Sequence, residues 1–258
     1  MRIAVLLKEV PDTYSDREMS LETGLTDRTG DVVADEVGER AVEAALRIKE
    51  AREGDAEVHI LTVGPESAAD AVRRGIAMGA SEGFLLSDVA LTGADLTLTA
   101  EALAAMVEKN GYDLVVCGAM SSDGAAGVMA PMLAELLNWP ALTNLSELAL
   151  DGESVVGVGV GEGGVVKLQA PLPAVAAVSD EFPDARFPNF KGLMAAKKKE
   201  LHTFALAELG IDAEDYSRPR AIMVDVAKRP ARERGEIIDG GKTAASQLVD
   251  FLDSRGLL

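Results

Sequence analysis

A mainly parallel, doubly wound α/β sheet is the fold class that this sequence predicts, and three observations predict it. Short apolar β-type runs recur four times in the first 140 residues. Helix-period segments with one apolar and one charged face alternate with them. Glycine, proline and Ser-Asp clusters punctuate the joins. Strands that are apolar on both faces belong in a sheet covered on both sides, and their crossovers are right-handed.

The elements follow in order. Residues 2–8, RIAVLLK, form a strand stopped by Pro11 and Asp12. A polar, turn-rich stretch leads to 36–50, where Val37, Ala41, Val42, Ala45, Leu46 and Ile48 repeat at helical spacing. EVHILTV at 57–63 is a second strand, and 68–79 is a helix closed by Gly79. A third strand starts at Gly83, and the helix of 96–109 ends at Asn110-Gly111. DLVVCG at 113–118 is the fourth strand, and a helix with Pro131 near its start follows over 125–138. Beyond Pro140 the segments 144–150, 154–160, 164–169 and 173–179 read as hairpins or edge strands. Periodicity weakens from Phe182, and one amphipathic helix within 244–256 lies in a long tail suited to wrapping a partner.

Composition narrows the function. The 258 residues carry 43 acidic against 25 basic side chains, a formal net charge of −18. Phosphate backbones repel such a surface, so nucleic acid is excluded as the main partner. The single cysteine, Cys117, rules out an intrachain disulfide, and the two histidines, His59 and His202, have no metal-ligand spacing. No run approaches the roughly 20 apolar residues that span a bilayer. The chain reads as soluble and cytoplasmic, without direct membrane insertion.

Ligands of an open parallel sheet bind at the carboxyl ends of its strands. The most informative of these ends is CGAMSSDGAAG, 117–127: small residues, an Asp cap candidate and glycine before a helix. That arrangement lets backbone N–H groups and a helix N-terminus meet a phosphate. A plain capped helix after a loop contains the same residues, and both readings stand. No GxGxxG follows the first strand and no GxxxxGK[ST] occurs, which disfavours a Rossmann dinucleotide site and a P-loop. No nucleophile–base or paired-carboxylate pattern stands out, so no catalytic residue is assigned, and no metal ligand. FPNFKGLMAAKKKEL, 187–201, sets an apolar loop beside Lys197, Lys198 and Lys199. Either Phe187 and Phe190 plug the protein's own core, or Phe190 anchors in a partner pocket while the lysines steer.

Taken together, LLKEVPD (6–12), ERAVEAALRIKE (39–50), TVGP (62–65), AMGAS (77–81), DLVVCGAMSSDG (113–124), APMLAELLNWPALT (130–143), LPAV (172–175) and ARFPNFKGLMAAKKKEL (185–201) resemble the electron transfer flavoprotein beta-subunit family. The last segment is most similar to its actinobacterial-type members. The resemblance runs nearly end to end and implies an adenine-nucleotide alpha-hydrolase-like sheet at 1–182 with edge hairpins. It further implies a partner-recognition loop at 183–201 and an extended arm at 202–258 packing on an alpha subunit. It implies FAD shared with that alpha subunit, AMP in this chain's own pocket (FAD in electron-bifurcating members), and no bond-making chemistry. Electrons then pass from acyl-CoA dehydrogenases to a membrane quinone oxidoreductase.

Carried over by position, the nucleotide pocket comprises Leu6, Asp35, Glu36, Val37, Gly38, Val63, Gly118, Ser121, Ser122, Asp123, Gly124, Ala125, Ala126, Gly127, Val128 and Met129. The flavin-side interface comprises Val10, Pro11 and Asp12. Phe190 takes the place of the family's anchoring leucine, with Lys197, Lys198 and Lys199 beside it. Of the family's methylated lysines, one position is Ala195 here and the other Lys198. Asp35-Glu36 replaces the Asn-Pro common in the family, so contacts to adenine or ribose differ there. Two rival readings are an electron-bifurcating subunit with a second FAD and a stand-alone adenine-nucleotide-binding regulatory protein; the long tail argues against the latter.

Overall fold

The computed structural model describes every residue except Glu162, Glu233 and Asp239. It contains two units, 1–225 and 226–258. In chain order the first unit runs β1 (Arg2–Leu6), β2 (Glu9–Pro11), β3 (Val32–Ala34), α1 (Glu36–Ala51), β4 (Glu57–Val63), α2 (Ala69–Met78) and β5 (Glu82–Leu86). It continues with α3 (Leu96–Asn110), β6 (Leu114–Gly118), α4 (Met129–Leu137), β7 (Ala141–Asp151), β8 (Ser154–Gly161) and β9 (Gly164–Pro171). β10 (Ala174–Val178), α5 (Phe190–Lys198) and β11 (His202–Phe204) complete it. The second unit holds α6 (Ala244–Ser254), in which Leu248, Val249 and Leu252 recur at helical spacing.

Nine strands form one sheet in the order β11-β5-β4-β1-β6-β10-β7-β8-β9. It is parallel from β11 to β7 and antiparallel from β7 to β9. Alternation along each central strand feeds two cores. On β1, Ile3 and Val5 face the core built with α1 and α2, and Ala4 faces the one built with α3 and α4. β6 divides likewise, Leu114 and Val116 against Val115 and Cys117. Side chains on both faces leave water, the arrangement read from the apolar runs. Side-chain caps place two helix starts: Asp35 accepts from Gly38 N–H, and Asp95 from Leu98 N–H.

Three differences from the sequence reading matter. The segment 173–179 is no hairpin or edge strand. β10 lies between β6 and β7, parallel to both and buried throughout. Its sequence AVAAV has no wet face, which is the mark of an interior strand. The stretch taken for an apolar loop contains α5, because Asn189 caps it through Gly192 N–H at 2.8 Å and Gly192 packs on α2. A Cβ at Gly192 would lie 2.3 Å from the Ala77 carbonyl oxygen, so only glycine lets the two helices approach this closely. Finally, the start of the expected arm belongs to the sheet. β11 pairs with β5, His202 stacks on Phe84 with ring centroids 4.8 Å apart, and Leu206 is buried.

Candidate functional site

The strand order reverses between β1 and β6. The chain leaves β1 toward β4 and β5, then returns to place β6 on the other side. That reversal opens the crevice where doubly wound sheets bind ligands. Gly118, the last residue of β6, faces the start of α1 there. A Cβ at 118 would lie 3.1 Å from the Val37 carbonyl carbon and 3.2 Å from the Gly38 nitrogen, so glycine is what keeps the crevice closed at its floor.

Asp35 is 3% exposed and uses both carboxylate oxygens on backbone. Oδ2 accepts from Gly38 N–H at 3.1 Å, and Oδ1 accepts from Ser122 N–H at 2.8 Å. It therefore caps α1 and ties that helix to the loop after β6. Asp123, whose side chain is 5% exposed, is the hub of the same loop. Its Oδ1 takes Lys8 Nζ at 2.7 Å and Gly124 N–H at 2.6 Å, and its Oδ2 takes Arg28 Nη2 at 2.9 Å. Burial opposes ionisation of Asp123, but hydrogen bonds from Lys8 and Ser121 and the Lys8 charge outweigh it and hold the carboxyl well below the usual range. Arg28 also donates to the Glu9 carbonyl at 2.9 Å, and Arg17 donates to the Ser122 carbonyl. The loop is thus stitched to the 8–28 segment by three cations.

Beyond the hub the loop is exposed and made of small residues. Ala125 and Gly127 have φ of +47° and +66°. Its geometry delivers the chain to α4, whose start has no side-chain cap. The N–H groups of Met129 and Ala130 have no partner one turn back, and Pro131 has none to offer. Ser122 Oγ is buried without a hydrogen-bond partner. An orphaned hydroxyl, an uncapped helix start and a glycine floor at the switch point suit a phosphate group placed toward the helix.

The structure brings Asp35, Val37, Gly38, Gly118, Ser121, Ser122 and Asp123 together at this crevice, with Leu6 and Val63 half-buried at the ends of β1 and β4. Gly124 to Val128 form its exposed rim and Glu36 points to solvent. Val10 and Pro11 lie on the antiparallel ribbon of β2 and β3, Asp12 follows it directly, and Val10 and Asp12 line one cleft with Ser122 of the crevice loop. Val10 and Pro11 are buried by this chain and Asp12 is half-buried. The ribbon borders a cleft of about 470 Å³ that Tyr14, Glu36, Glu39, Asp70 and Arg74 also line. Lys8, Arg17, Arg28 and Tyr14 escaped the sequence reading. The hydrogen bond from Lys8 to Asp123 spans 115 residues, and the one from Arg28 to Asp123 spans 95.

On another face Phe187 and Phe190 stand 89% and 78% exposed, so neither plugs the core. Leu193 and Met194 continue that surface along α5, and Lys197 and Lys198 follow, both exposed. Lys199 differs: it pairs with Glu82 at 2.8 Å. The interior offers little chemistry. Burial pushes the Cys117 thiol up to about 12, and burial above all lowers His59, whose Nδ1 meets Tyr112 Oη at 3.1 Å. Among the described residues no group of three or more His, Cys, Asp or Glu could hold a metal ion, and no helix is long and apolar enough to cross a membrane.

A doubly wound sheet with a nucleotide-type switch point is the class that this architecture defines. Residues 23–209 match the electron transfer flavoprotein domain family. The chain is 39% identical to the electron transfer flavoprotein subunit beta of Mycobacterium leprae and 38% identical to that of Mycobacterium tuberculosis, with 99% of each chain covered. It is 31% identical to the caffeyl-CoA reductase-Etf complex subunit CarD of Acetobacterium woodii over 99% of this chain and 97% of that one. The chain belongs to the electron transfer flavoprotein beta-subunit family, and its function lies in electron transfer as part of a flavoprotein.

Proposed function

We propose that this chain pairs with an alpha subunit, shares its FAD and binds AMP at the β1/β6 switch point. The assembly carries electrons in the cytoplasm from acyl-CoA and related dehydrogenases to a membrane quinone oxidoreductase. The observation that carries the reading is the apolar surface of α5, with Phe190 exposed on a helix gripped from behind. A carrier needs such a surface and needs no acid–base pair, because bound FAD supplies the redox chemistry. This chain's residues do the rest. Ser122 Oγ and the first N–H groups of α4 hold the nucleotide phosphate, and Asp35 fixes the loop that presents them. Val10, Pro11 and Asp12 shape the ribbon toward the flavin side, while Phe190 docks the electron donor and Lys197 and Lys198 steer it. The segment after 202 continues into the arm that packs on the alpha subunit.

Co-expression with the alpha subunit, followed by flavin and nucleotide release on denaturation, tests this. One flavin and one AMP per heterodimer is the expected result. Two flavins would place the complex in the electron-bifurcating class instead. No complex and no flavin would overturn both readings in favour of a stand-alone nucleotide-binding protein.

A further inference from the structure

Two helices on one face of the sheet grip the chain on either side of its exposed phenylalanines. On the upstream side the outer face of α1 holds residues 182–186. Glu43, with a side chain 5% exposed, accepts Arg186 Nε at 2.6 Å and the Arg186 backbone N–H at 3.2 Å. Glu50 accepts Arg186 Nη1 at 2.5 Å and Nη2 at 3.1 Å. Arg47 supports Glu43 at 2.7 Å and lies over the Phe182 ring, and Arg40 meets Asp184 at 2.6 Å. On the downstream side, Arg73 of α2 donates to the carbonyls of Ala196 and Lys199 at 2.7 and 3.2 Å, and Gly192 rests on Ala77. Phe187 and Phe190 lie between these two grips.

We infer that Arg186 is a positioning residue: its guanidinium, forked across Glu43 and Glu50, sets the direction in which Phe187 and Phe190 project toward an electron-donating protein. This rests on the docking reading of Phe190. Phe187 is the residue next to Arg186, so the fork controls where the apolar segment leaves the fold. Paired N–H···O bonds from a planar guanidinium restrict rotation in a way that a single ammonium does not. A segment ordered before contact loses less entropy on docking. Burial works against ionisation of Glu43, yet the bonds from Arg186 and Arg47 keep it charged, so the fork persists at neutral pH.

The test uses the complex with its alpha subunit and an acyl-CoA dehydrogenase that reduces the wild-type complex. Arg186→Gln should raise the complex concentration needed for half-maximal reduction by about fivefold, about 1 kcal/mol at the docking step. Flavin content and the rate at saturation should stay near wild type, while the melting temperature falls by a few degrees because nearly buried Glu43 keeps only Arg47. Arg186→Lys should not rescue it. The double variant of Arg186→Gln with Phe190→Ala should lose clearly less than the product of the two single losses, because Arg186 acts in part through Phe190. Should Arg186→Gln fail to fold, Glu50→Gln carries the same test, since it frees the outer half of the fork and leaves buried Glu43 paired. An unchanged half-saturation, or effects that multiply fully in the double variant, overturns the positioning role. If Phe190→Ala itself changes nothing, the docking reading falls and this inference with it.

Discussion

The loop at 118–129 and the segment at 182–199 both leave the same sheet for the surface, and they are held in opposite ways. In the first, charge converges inward: Lys8 and Arg28 meet on a nearly buried Asp123, and the exposed rim is glycine and alanine up to Val128. In the second, charge grips from behind: Glu43 and Glu50 hold Arg186, Arg73 holds the carbonyls of Ala196 and Lys199, and the exposed residues are large and apolar. The first arrangement leaves backbone donors open to an anion, and the second leaves aromatic area open to a protein. The contrast lies in what each segment leaves unpaired, backbone N–H groups in one and aromatic area in the other.

Phe190→Ala should break the second region alone and show the largest effect. Truncating a hot-spot aromatic costs about 2 kcal/mol, roughly a thirtyfold loss in dehydrogenase-dependent reduction. Stopped-flow reduction by the dehydrogenase measures it, and dithionite reduction and flavin content should be unchanged. Loss of flavin would show that Phe190 supports the fold and not docking.

Asp123→Asn should break the first region by leaving Lys8 and Arg28 without their counter-charge, at about 1.5–3 kcal/mol for a charged hydrogen-bonded group. Bound AMP should fall while reduction by the dehydrogenase holds. The pH dependence has a definite sign. Asp123 has a depressed pKa in the fold, so below its unfolded value of about 3.9 the unfolded chain binds the proton first. The stability gap between wild type and Asp123→Asn should be full at pH 7 and shrink as pH falls below about 4. A gap that is flat down to pH 3 would mean the hub carries no net charge stabilisation.

Gly192→Ala sharpens the comparison at the helix contact. The added methyl meets a backbone carbonyl that cannot yield as a side chain would, so α5 must shift, at about 1–3 kcal/mol. Thermal melting should fall by a few degrees and dehydrogenase reactivity should fall with it, while AMP content stays. Cys117 lies in neither region and should show no effect. With its thiol near 12 and buried, alkylation by iodoacetamide at pH 8 should be negligible in the folded complex. Rapid labelling would indicate that β6 opens.

Much of the fold was legible in the sequence because the relevant signals are local. The strands at 2–8, 57–63 and 113–118 and the helices at 36–50 and 96–109 announce themselves by hydrophobic period, and their caps sit within three residues of the groups they satisfy. The small-residue loop after β6 was visible for the same reason. Resemblance to the family added the remaining candidate positions, which periodicity does not reveal.

What stayed hidden in the residues depends on pairs distant along the chain. AVAAV at 174–178 is strand-like by composition, but its insertion between β6 and β7 is a choice of neighbours that sheet topology makes. Asp123 looks like any solvated acid until the fold brings Lys8 and Arg28 to it across 115 and 95 residues. Arg186 meets Glu43 across 143 residues, and a chain with 43 acids gives no local hint of which one it will meet. Local pattern sets which segments are strands and helices, because burial of a face needs only the segment's own periodicity. Which strands adjoin and which charges meet follows from packing the whole chain, because those contacts exist only after the loops between them have closed.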